Sequence, residues 1–505
     1  MDINGFTSII AKPFIGLFIT CVVLLYIFFH RTYKYWKNRG VPYAKPLPFV
    51  GNLGFIMRRS MWDFCYELKM KHPSDYLGIF LAWTPTLVVQ TPELARNILT
   101  KDFHNFEDRY LYSGYSDPLG SLNLFTVKNP IWKQIRYELS PMFTALRLKT
   151  ITELMNINAL ELVKKIKREH VDKNIKVNLK DLFSMYTSDT VAYSVFGIRV
   201  SILNDSPSPL WNITSHMVKF TFWRGLEFTM IFLIPAIAKL LRLKFFSTAA
   251  SEYIKELFWT VVNKRKNAEE NNEKDLVNRL LKIKHNVKLP DNADPNLADN
   301  IMLAQVAVFI LGSVETSSTT LSYCLHELAY HPEEQDKLFN EVNDAVKQTG
   351  KDVLDYNELL ELKYLQSCIF ETLRKYPPVP YLDRLCAENY KLSDEVTVEK
   401  GVPVFVNVVA IHYNEKYYPK PNEWQPERFI SVHEGDNLDY TFLPFGEGPR
   451  FCIGKRYGMM QIRASLAQII LKYKILPNVP YSLRTDPYAV ILAPEDGLSV
   501  RFVPR

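Results

Sequence analysis

The chain has 505 residues, of which 47% are hydrophobic and 23% are charged. This ordinary globular composition excludes a disordered or fibrous protein, and a net charge of +7 without a long basic run gives no sign of a nucleic-acid partner. The six cysteines are scattered and form no CxxC pair, which argues against a disulfide scaffold and against a structural zinc site.

The chain starts with an apolar stretch, residues 14–29, that contains no charged side chain. It is long enough to cross a bilayer if Lys12 reaches the interface, and basic residues follow it, which places the remainder in the cytoplasm. A cleaved signal peptide is the alternative, but no cleavage site follows the stretch. We predict a membrane anchor in residues 1–30, a basic and proline-rich linker in 31–52 and one large domain in 53–505.

Helical periodicity dominates the rest of the chain, whereas strand-like runs are short. Helices are predicted at residues 150–169, 248–267, 296–331, 333–349, 358–375 and 457–473, and strands at 76–80, 86–90 and 403–409. The fold class is therefore mainly α with small β-sheets. Residues 230–246 are apolar with a few basic side chains, and are either a buried helix with a loop or a second membrane contact.

The strongest local signal is FGEGPRFCIG at residues 445–454. Glycines permit a tight turn, and Arg450 offers several donors to a carboxylate. Cys452 precedes a predicted helix, whose free N–H groups favour the thiolate that binds a metal. A buried structural cysteine in a glycine-rich turn is the alternative.

This segment resembles the haem-binding loop FxxGxRxCxG of the cytochrome P450 family. Other motifs of that family occur in the expected order, so that the resemblance extends from the predicted anchor to the C-terminus. It implies the cytochrome P450 fold and haem b (iron protoporphyrin IX) as the cofactor. Cys452 would be the axial ligand of the iron, with Phe445 and Arg450 beside the haem.

Two further motifs resemble the elements that support this loop in the family. They are Glu371-Thr372-Leu373-Arg374, an ExxR sequence, and Pro426-Glu427-Arg428-Phe429, a PERF sequence. The resemblance implies a buried ion network of Glu371, Arg374 and Arg428. Alone, an ExxR sequence has little weight, because many helices carry charged pairs at this spacing.

The segment LGSVETS at residues 311–317 resembles the oxygen-activating kink of the family's central helix. The resemblance implies that the Thr316 hydroxyl helps to deliver protons to dioxygen and that Glu315 is the acidic relay. Gly312 stands where alanine is usual, and Ser313 where glycine is usual. The alternative is a buried helix whose hydroxyl groups bond back to its own carbonyls.

Three more residues resemble family contacts to the haem propionates. Trp132 and Arg136 form a WxxxR sequence within one helical turn, and Arg384 follows the sequence YLD. An ordinary surface arginine is the alternative for Arg136 and for Arg384.

The resemblance implies a monooxygenase of the endoplasmic reticulum membrane that acts on a hydrophobic small molecule. No dinucleotide-binding fingerprint is visible, so electrons would come from NADPH–cytochrome P450 reductase, with cytochrome b5 as a possible second donor. A basic docking face for these acidic partners is predicted from Lys128, Lys133, Lys455, Arg456 and Arg463.

Three segments, FEDR at residues 106–109 and residues 309–320 and 374–380, resemble those of insect members of the family that oxidise plant toxins, insecticides and other xenobiotics. Substrate contacts are predicted in residues 105–125, 203–235, 305–316, 379–382 and 488–492. Three alternatives stay open: a dedicated hormone or fatty-acid hydroxylase, a haem-thiolate isomerase or dehydratase, and a haem-binding carrier or sensor without turnover.

Overall fold

The computed structural model describes residues 3–54, 59–114, 116–199, 201–204, 211, 221–267, 276–289, 291–433, 435–436, 438–478, 480–481, 484–496 and 498–505. This part of the chain is mainly helical with small sheets, which confirms the predicted class. The helices are α1 (Ile3–Thr32), α2 (Met61–Lys71), α3 (Pro92–Arg96), α4 (Pro118–Ser121), α5 (Ile131–Leu139), α6 (Ala145–Ile166), α7 (Leu179–Phe196), α8 (Phe222–Leu233), α9 (Pro235–Leu240), α10 (Thr248–Asn267), α11 (Leu276–Asn286), α12 (Leu297–Tyr330), α13 (Pro332–Thr349), α14 (Tyr356–Glu361), α15 (Lys363–Lys375), α16 (Val408–His412) and α17 (Lys455–Lys472).

The strands are β1 (Tyr76–Leu81), β2 (Thr84–Val89), β3 (Val177–Asn178), β4 (Tyr381–Leu385), β5 (Tyr390–Lys391), β6 (Thr397–Val398), β7 (Pro403–Asn407), β8 (Tyr473–Pro477) and β9 (Ser499–Pro504). In the largest sheet the order is β1-β2-β7-β4, with β7 parallel to β2 and antiparallel to β4. All three predicted strands belong to it, because their apolar runs are buried on both faces. The other described sheets have the orders β3-β9-β8 and β5-β6.

The helix α12 passes through the core and packs against α7, α15 and α17. It is apolar nearly all round, as expected for a helix enclosed by other elements. Among the described residues α12 is the one helix that is long and apolar enough to cross a membrane, so the membrane anchor predicted in residues 1–30 is not confirmed and stays a prediction. Of the most apolar stretch of α12, 56% is buried inside the protein. Its burial marks it as a core helix.

The helix predicted at residues 358–375 is in fact two helices, α14 and α15. Leu362 adopts an extended conformation between them. The Glu341 carboxylate on α13 accepts hydrogen bonds from the Tyr364 and Leu365 N–H groups at 2.7 and 2.8 Å, so it satisfies the start of α15. A partner so distant in sequence cannot be read from local periodicity.

At the N-terminal side, α1 exposes apolar side chains such as Leu17 and Leu24, which are 62% and 60% accessible. Trp36 is fully buried, and its Nε1 donates to the Ile79 carbonyl of β1 at 3.0 Å. Residues 230–246 form the end of α8, the whole of α9 and the loop after it, and Leu240 and Leu241 are exposed. The buried helix with a loop that the sequence offered is therefore found in this segment, whereas the second membrane contact stays a prediction.

Candidate functional site

A cavity of about 340 Å³ separates α12 from the loop 445–454. Each of the five segments predicted to contact substrate contributes to its lining: Arg109, Leu124, Phe125, Phe232, Val308, Phe309, Leu311, Gly312, Ser313, Glu315, Thr316, Val379, Tyr381, Leu382, Val490 and Ile491. Residues 205–210 and 212–220 of one predicted segment lie outside the described residues. Sequence reasoning missed the contributions of Val191, Ser194 and Val195 from α7.

The loop 445–454 is held in a tight turn by its own backbone. The Cys452 N–H donates to the Phe445 carbonyl at 2.9 Å. Gly446 and Gly448 have φ angles of +67° and +75°, which side-chain-bearing residues rarely adopt. A Cβ on Gly448 would also lie 1.9 Å from the Leu99 carbonyl oxygen, so this position has room for glycine alone.

Cys452 is accessible from the cavity and surrounded by protein on its other sides. Desolvation raises the pKa of its thiol, and the Gly454 N–H and the Arg136 charge offset this only in part. The prediction that the loop alone favours the thiolate over the thiol is therefore wrong, because the protein around Cys452 raises the pKa of the thiol. A bound metal ion reverses this balance, because coordination deprotonates a thiol.

The predicted ion network lies directly behind this loop. The Arg374 Nε and Nη2 donate to the two oxygens of Glu371 at 2.7 and 2.8 Å, and both side chains are fully buried. The Arg428 Nε lies 3.4 Å from the Glu371 Oε1. The three residues named by the ExxR and PERF sequences are thus brought together.

His412, which the sequence did not single out, connects this network to the loop. Its Nε2 accepts from the Leu443 N–H at 2.8 Å, so Nδ1 carries the proton that is donated to the Arg374 carbonyl at 2.9 Å. The Arg374 Nη1 in turn donates to the His412 carbonyl at 3.0 Å. Burial lowers the pKa of His412 to about 3, which keeps the imidazole neutral.

Three guanidinium groups meet at one side of the cavity, and we call this set the arginine edge: Arg109, Arg384 and Arg450. Each has one buried nitrogen without a hydrogen-bond partner, namely Arg109 Nε, Arg384 Nε and Arg450 Nη1. Burial and mutual repulsion lower the pKa of Arg384 and of Arg450 to about 9. Arg109 was not predicted as a haem contact, although it lies in the segment 105–125 that was predicted to contact substrate.

Trp132 and Arg136 on α5 also line the cavity, but in different surroundings. The Arg450 guanidinium lies over the Trp132 ring at 4.2 Å, so Trp132 supports the arginine edge. The Arg136 guanidinium lies over the Phe451 ring at 4.6 Å, and burial lowers its pKa while the Cys452 charge raises it. Arg136 therefore lies nearer to the cysteine than to the other three arginines.

On the opposite wall, α12 continues without interruption through residues 311–317. The Thr316 Oγ1 donates to the Gly312 carbonyl at 2.7 Å, as in the alternative drawn from sequence. A Cβ on Gly312 would meet no heavy atom within 4 Å, so the alanine usual in the family would also fit. Glycine in place of the usual alanine at position 312 therefore does not reduce the free space of the cavity.

Glu315, predicted as an acidic relay, is held by a lysine from α7. The Lys180 Nζ lies 2.9 Å from the Glu315 Oε1 and also donates to the Ser318 and Thr319 hydroxyls, both at 2.8 Å. The Glu315 side chain is 2% exposed and the Lys180 side chain 14%. Burial lowers the pKa of Lys180 even though Glu315 raises it.

Two members of the predicted basic docking face do not belong to the surface. Arg463 is fully buried and donates to the Leu359 carbonyl and to the Gln366 Oε1, both at 2.7 Å. Lys128 is half-buried, donates to the Arg109 carbonyl, and burial lowers its pKa to about 8. Lys133 and Arg456 are exposed, and Lys455 is half-buried.

The cavity residues fit a haem. A thiol in the cavity wall is the ligand type of a haem thiolate, and unpaired guanidinium N–H groups match the two carboxylates of the macrocycle. The open space above Gly312 is where a flat group and a small molecule would find room. A structural cysteine in a turn would account for none of these three features.

Comparison with known proteins gives the same result for almost the whole chain. The family model described as cytochrome P450 matches residues 41–501. The chain is 33% identical to cytochrome P450 6j1 of Blattella germanica over 96% of both proteins. It is 30% identical to cytochrome P450 6k1 of the same insect over 96% of this chain and 95% of that protein. It is 31% identical to cytochrome P450 6B2 of Helicoverpa armigera over 96% of this chain and 97% of that protein. The chain therefore belongs to the cytochrome P450 family, and is a haem-dependent monooxygenase related to those of insects.

Proposed function

We propose that Cys452 is the axial ligand of a haem b iron, and that the enzyme inserts one oxygen atom from O2 into hydrophobic, uncharged xenobiotics. Plant toxins and insecticides are the proposed substrate class. The observation that carries the proposal is the position of Cys452 in a cavity wall, opposite Thr316 and beside the arginine edge.

The substrate class is proposed from the aromatic side chains of the cavity, which we call the phenylalanine roof: Phe125, Phe232 and Phe245. The Phe232 and Phe245 rings are stacked at 5.8 Å, and the Phe125 and Phe232 rings are 6.2 Å apart. Two arginines of the arginine edge, Arg109 and Arg450, form ion pairs with Asp383 and Asp108 of the protein itself. An apolar, uncharged molecule held by shape fits this lining best.

When bound, haem supplies the redox centre at which dioxygen, two electrons, two protons and substrate give an oxygenated product and water. Cys452 binds the iron, and the arginine edge binds the haem carboxylates. The Thr316 hydroxyl holds a proton at the cavity wall, where it is now donated to the Gly312 carbonyl. The phenylalanine roof excludes water from the reacting part of the substrate.

Electrons would come from NADPH–cytochrome P450 reductase, with cytochrome b5 as a second donor. The exposed Lys133 and Arg456 and the half-buried Lys455 are the remaining cations proposed for this docking face. The apolar surface of α1 supports an anchor in the endoplasmic reticulum membrane with the large domain in the cytoplasm. The exposed tip at Leu240 and Leu241 supports a second contact with the same membrane.

The test is turnover of the full chain, reconstituted in membranes with the reductase, NADPH and isotopically labelled dioxygen. Several unrelated hydrophobic compounds should each gain one labelled oxygen atom while NADPH is consumed. The Thr316→Ala variant should consume NADPH but yield less product per NADPH.

Three results would favour the alternatives. Haem binding without NADPH consumption would indicate a carrier or sensor, and rearrangement of a peroxide without NADPH an isomerase. Tight turnover of one hormone or fatty acid, with no product from the other compounds, would indicate a dedicated hydroxylase.

A further inference from the structure

Strand β4 lies at the edge of the largest sheet, and the segment 105–111 runs along its free side. The Leu385 N–H donates to the Asp108 carbonyl at 2.8 Å, and the Ala387 N–H donates to the Asn105 carbonyl at 2.9 Å. These bonds cover part of an otherwise unpaired strand edge. They also bring Arg109 beside the β4 residues Asp383 and Arg384.

Beyond these backbone hydrogen bonds, the Asp383 side chain binds the segment 105–111. The Asp383 Oδ2 accepts from the Tyr110 and Leu111 N–H groups at 2.6 and 3.2 Å. The Asp383 Oδ1 accepts from the Arg109 Nη1 at 3.1 Å. The Asp383 and Arg109 side chains are 5% and 10% exposed, so one buried carboxylate fixes both the backbone and the guanidinium of this segment.

The negative charge of Asp383 also offsets the repulsion between the neighbouring guanidinium groups. Arg109 repels both Arg384 and Arg450. Burial alone would raise the pKa of Asp383, but Arg109, Arg384 and the Leu111 N–H together lower it. An ionised carboxylate therefore lies among the guanidinium groups that face the cavity.

We propose that Asp383 is a positioning residue for the cofactor: it aims Arg109 at a haem carboxylate and offsets positive charge at the arginine edge. The inference rests on the proposed haem site and assigns a residue beyond it. Removing a negative charge near a redox centre stabilises its reduced form, whereas removing a positive charge destabilises that form. Asp383 thus holds the reduction potential of the haem down.

The test uses the full chain in membranes and measures haem content and the midpoint potential. Asp383→Asn should lower haem retention and raise the midpoint potential. Arg109→Gln should lower the potential, and the double variant should lie near wild type. A merely structural role would reduce stability without these opposite shifts.

Asp189 provides a matched control. It is 1% exposed and also accepts from two backbone N–H groups, those of Ile202 and Leu203, at 3.0 and 3.1 Å. It does not line the cavity. Asp189→Asn should therefore cost stability and leave the potential unchanged.

Two results would overturn the inference. Equal potentials in Asp383→Asn and Asp189→Asn would do so, as would shifts of the same sign in Asp383→Asn and Arg109→Gln. Should Asp383→Asn lose haem altogether, the potential of Arg109→Gln decides: a lowered potential supports the inference, and an unchanged or raised potential contradicts it. If wild-type protein binds no haem, the proposed function itself fails, which the wild-type measurement distinguishes.

Discussion

On the Cys452 side of the cavity, partners from distant segments hold the loop 445–454 in addition to its own backbone hydrogen bond. The Arg450 Nη2 donates to the Val127 carbonyl at 3.1 Å, and His412 holds Leu443, immediately before the loop. On the α12 side, the two threonine hydroxyls that line the cavity bond within their own helix, Thr316 to the Gly312 carbonyl and Thr320 to the Thr316 carbonyl.

This difference explains where the sequence follows the family pattern. Where a side chain contacts a partner from a distant segment, few other side chains have the size and charge to replace it. The loop 445–454 therefore fits the family's haem-loop pattern at every motif position. A hydroxyl that bonds to its own helix sets no such limits on its neighbours. Small residues can therefore replace one another, as Gly312 and Ser313 do here. The predictions below test this contrast, beginning with the largest expected effect.

Arg374→Met should be the most damaging single change on the Cys452 side. It removes both short hydrogen bonds to the fully buried Glu371 and leaves only Arg428, at 3.4 Å, as its cation, which costs about 3–5 kcal/mol of unfolding free energy. Haem should be lost as well, because His412 loses its link to the network. Lys391→Met is the control, since its ion pair with Asp394 has the same spacing but is exposed, and its effect should stay within about 0.5 kcal/mol. Urea unfolding of both variants measures the difference, and equal losses would contradict the account.

Lys180→Met should show a large loss on the α12 side. It leaves the buried Glu315 carboxylate without its lysine, which costs about 3–5 kcal/mol of unfolding free energy. The double variant with Glu315→Gln removes the carboxylate as well and should recover part of this loss. Urea unfolding measures both variants, and a double variant no more stable than Lys180→Met would show that Glu315 does not depend on Lys180.

Gly448 and Gly312, one on each wall of the cavity, allow a direct comparison of the two walls. Gly448→Ala should destabilise by about 1–3 kcal/mol, because its Cβ meets the Leu99 carbonyl and its φ is positive. Gly312→Ala should be neutral or stabilise by up to about 1 kcal/mol, since the space is open and alanine favours helix. Thermal unfolding and haem content measure both. Similar effects of the two substitutions would remove the contrast.

His412→Asn should lower stability near pH 7 and change how stability falls in acid. The folded pKa of His412, about 3, lies below the ordinary value of 6.5, so its stabilising effect is full above that value. Below it, the unfolded chain takes up a proton that the folded chain does not, and stability falls by about 1.4 kcal/mol per pH unit. The variant should lose stability near pH 7 but decline less from pH 6 to 4. Parallel pH profiles would contradict a buried neutral imidazole.

The sequence predicted the Cys452 loop and the Glu371, Arg374 and Arg428 cluster because each motif is short and its residues have few physical substitutes. It also predicted the three strands of the main sheet from their apolar runs. It did not predict Lys180 beside Glu315, or Asp383 beside Arg109, because nothing local marks contacts between segments so far apart in the chain.

Arg463 shows a second limit of prediction from sequence, because a contact was predicted for it that the structure does not show. Its charge suggested a surface site, but its direction on α17 points it to the Leu359 carbonyl in the core. Charge can be read from sequence, whereas the direction of a side chain depends on how its helix is packed. The same reason accounts for Lys128, which turns toward the Arg109 carbonyl.

The central claim is that Cys452 is the haem ligand, and the carbon monoxide difference spectrum of the reduced full-length protein tests it most directly. We expect a Soret band at about 450 nm, the band after which the family is named, because a thiolate is the ligand. Cys452→Ala should lose that band, while Cys386→Ala, a buried cysteine outside the cavity, should keep it. A folded wild-type protein without the band, or a Cys452→Ala variant that retains it, would contradict the account.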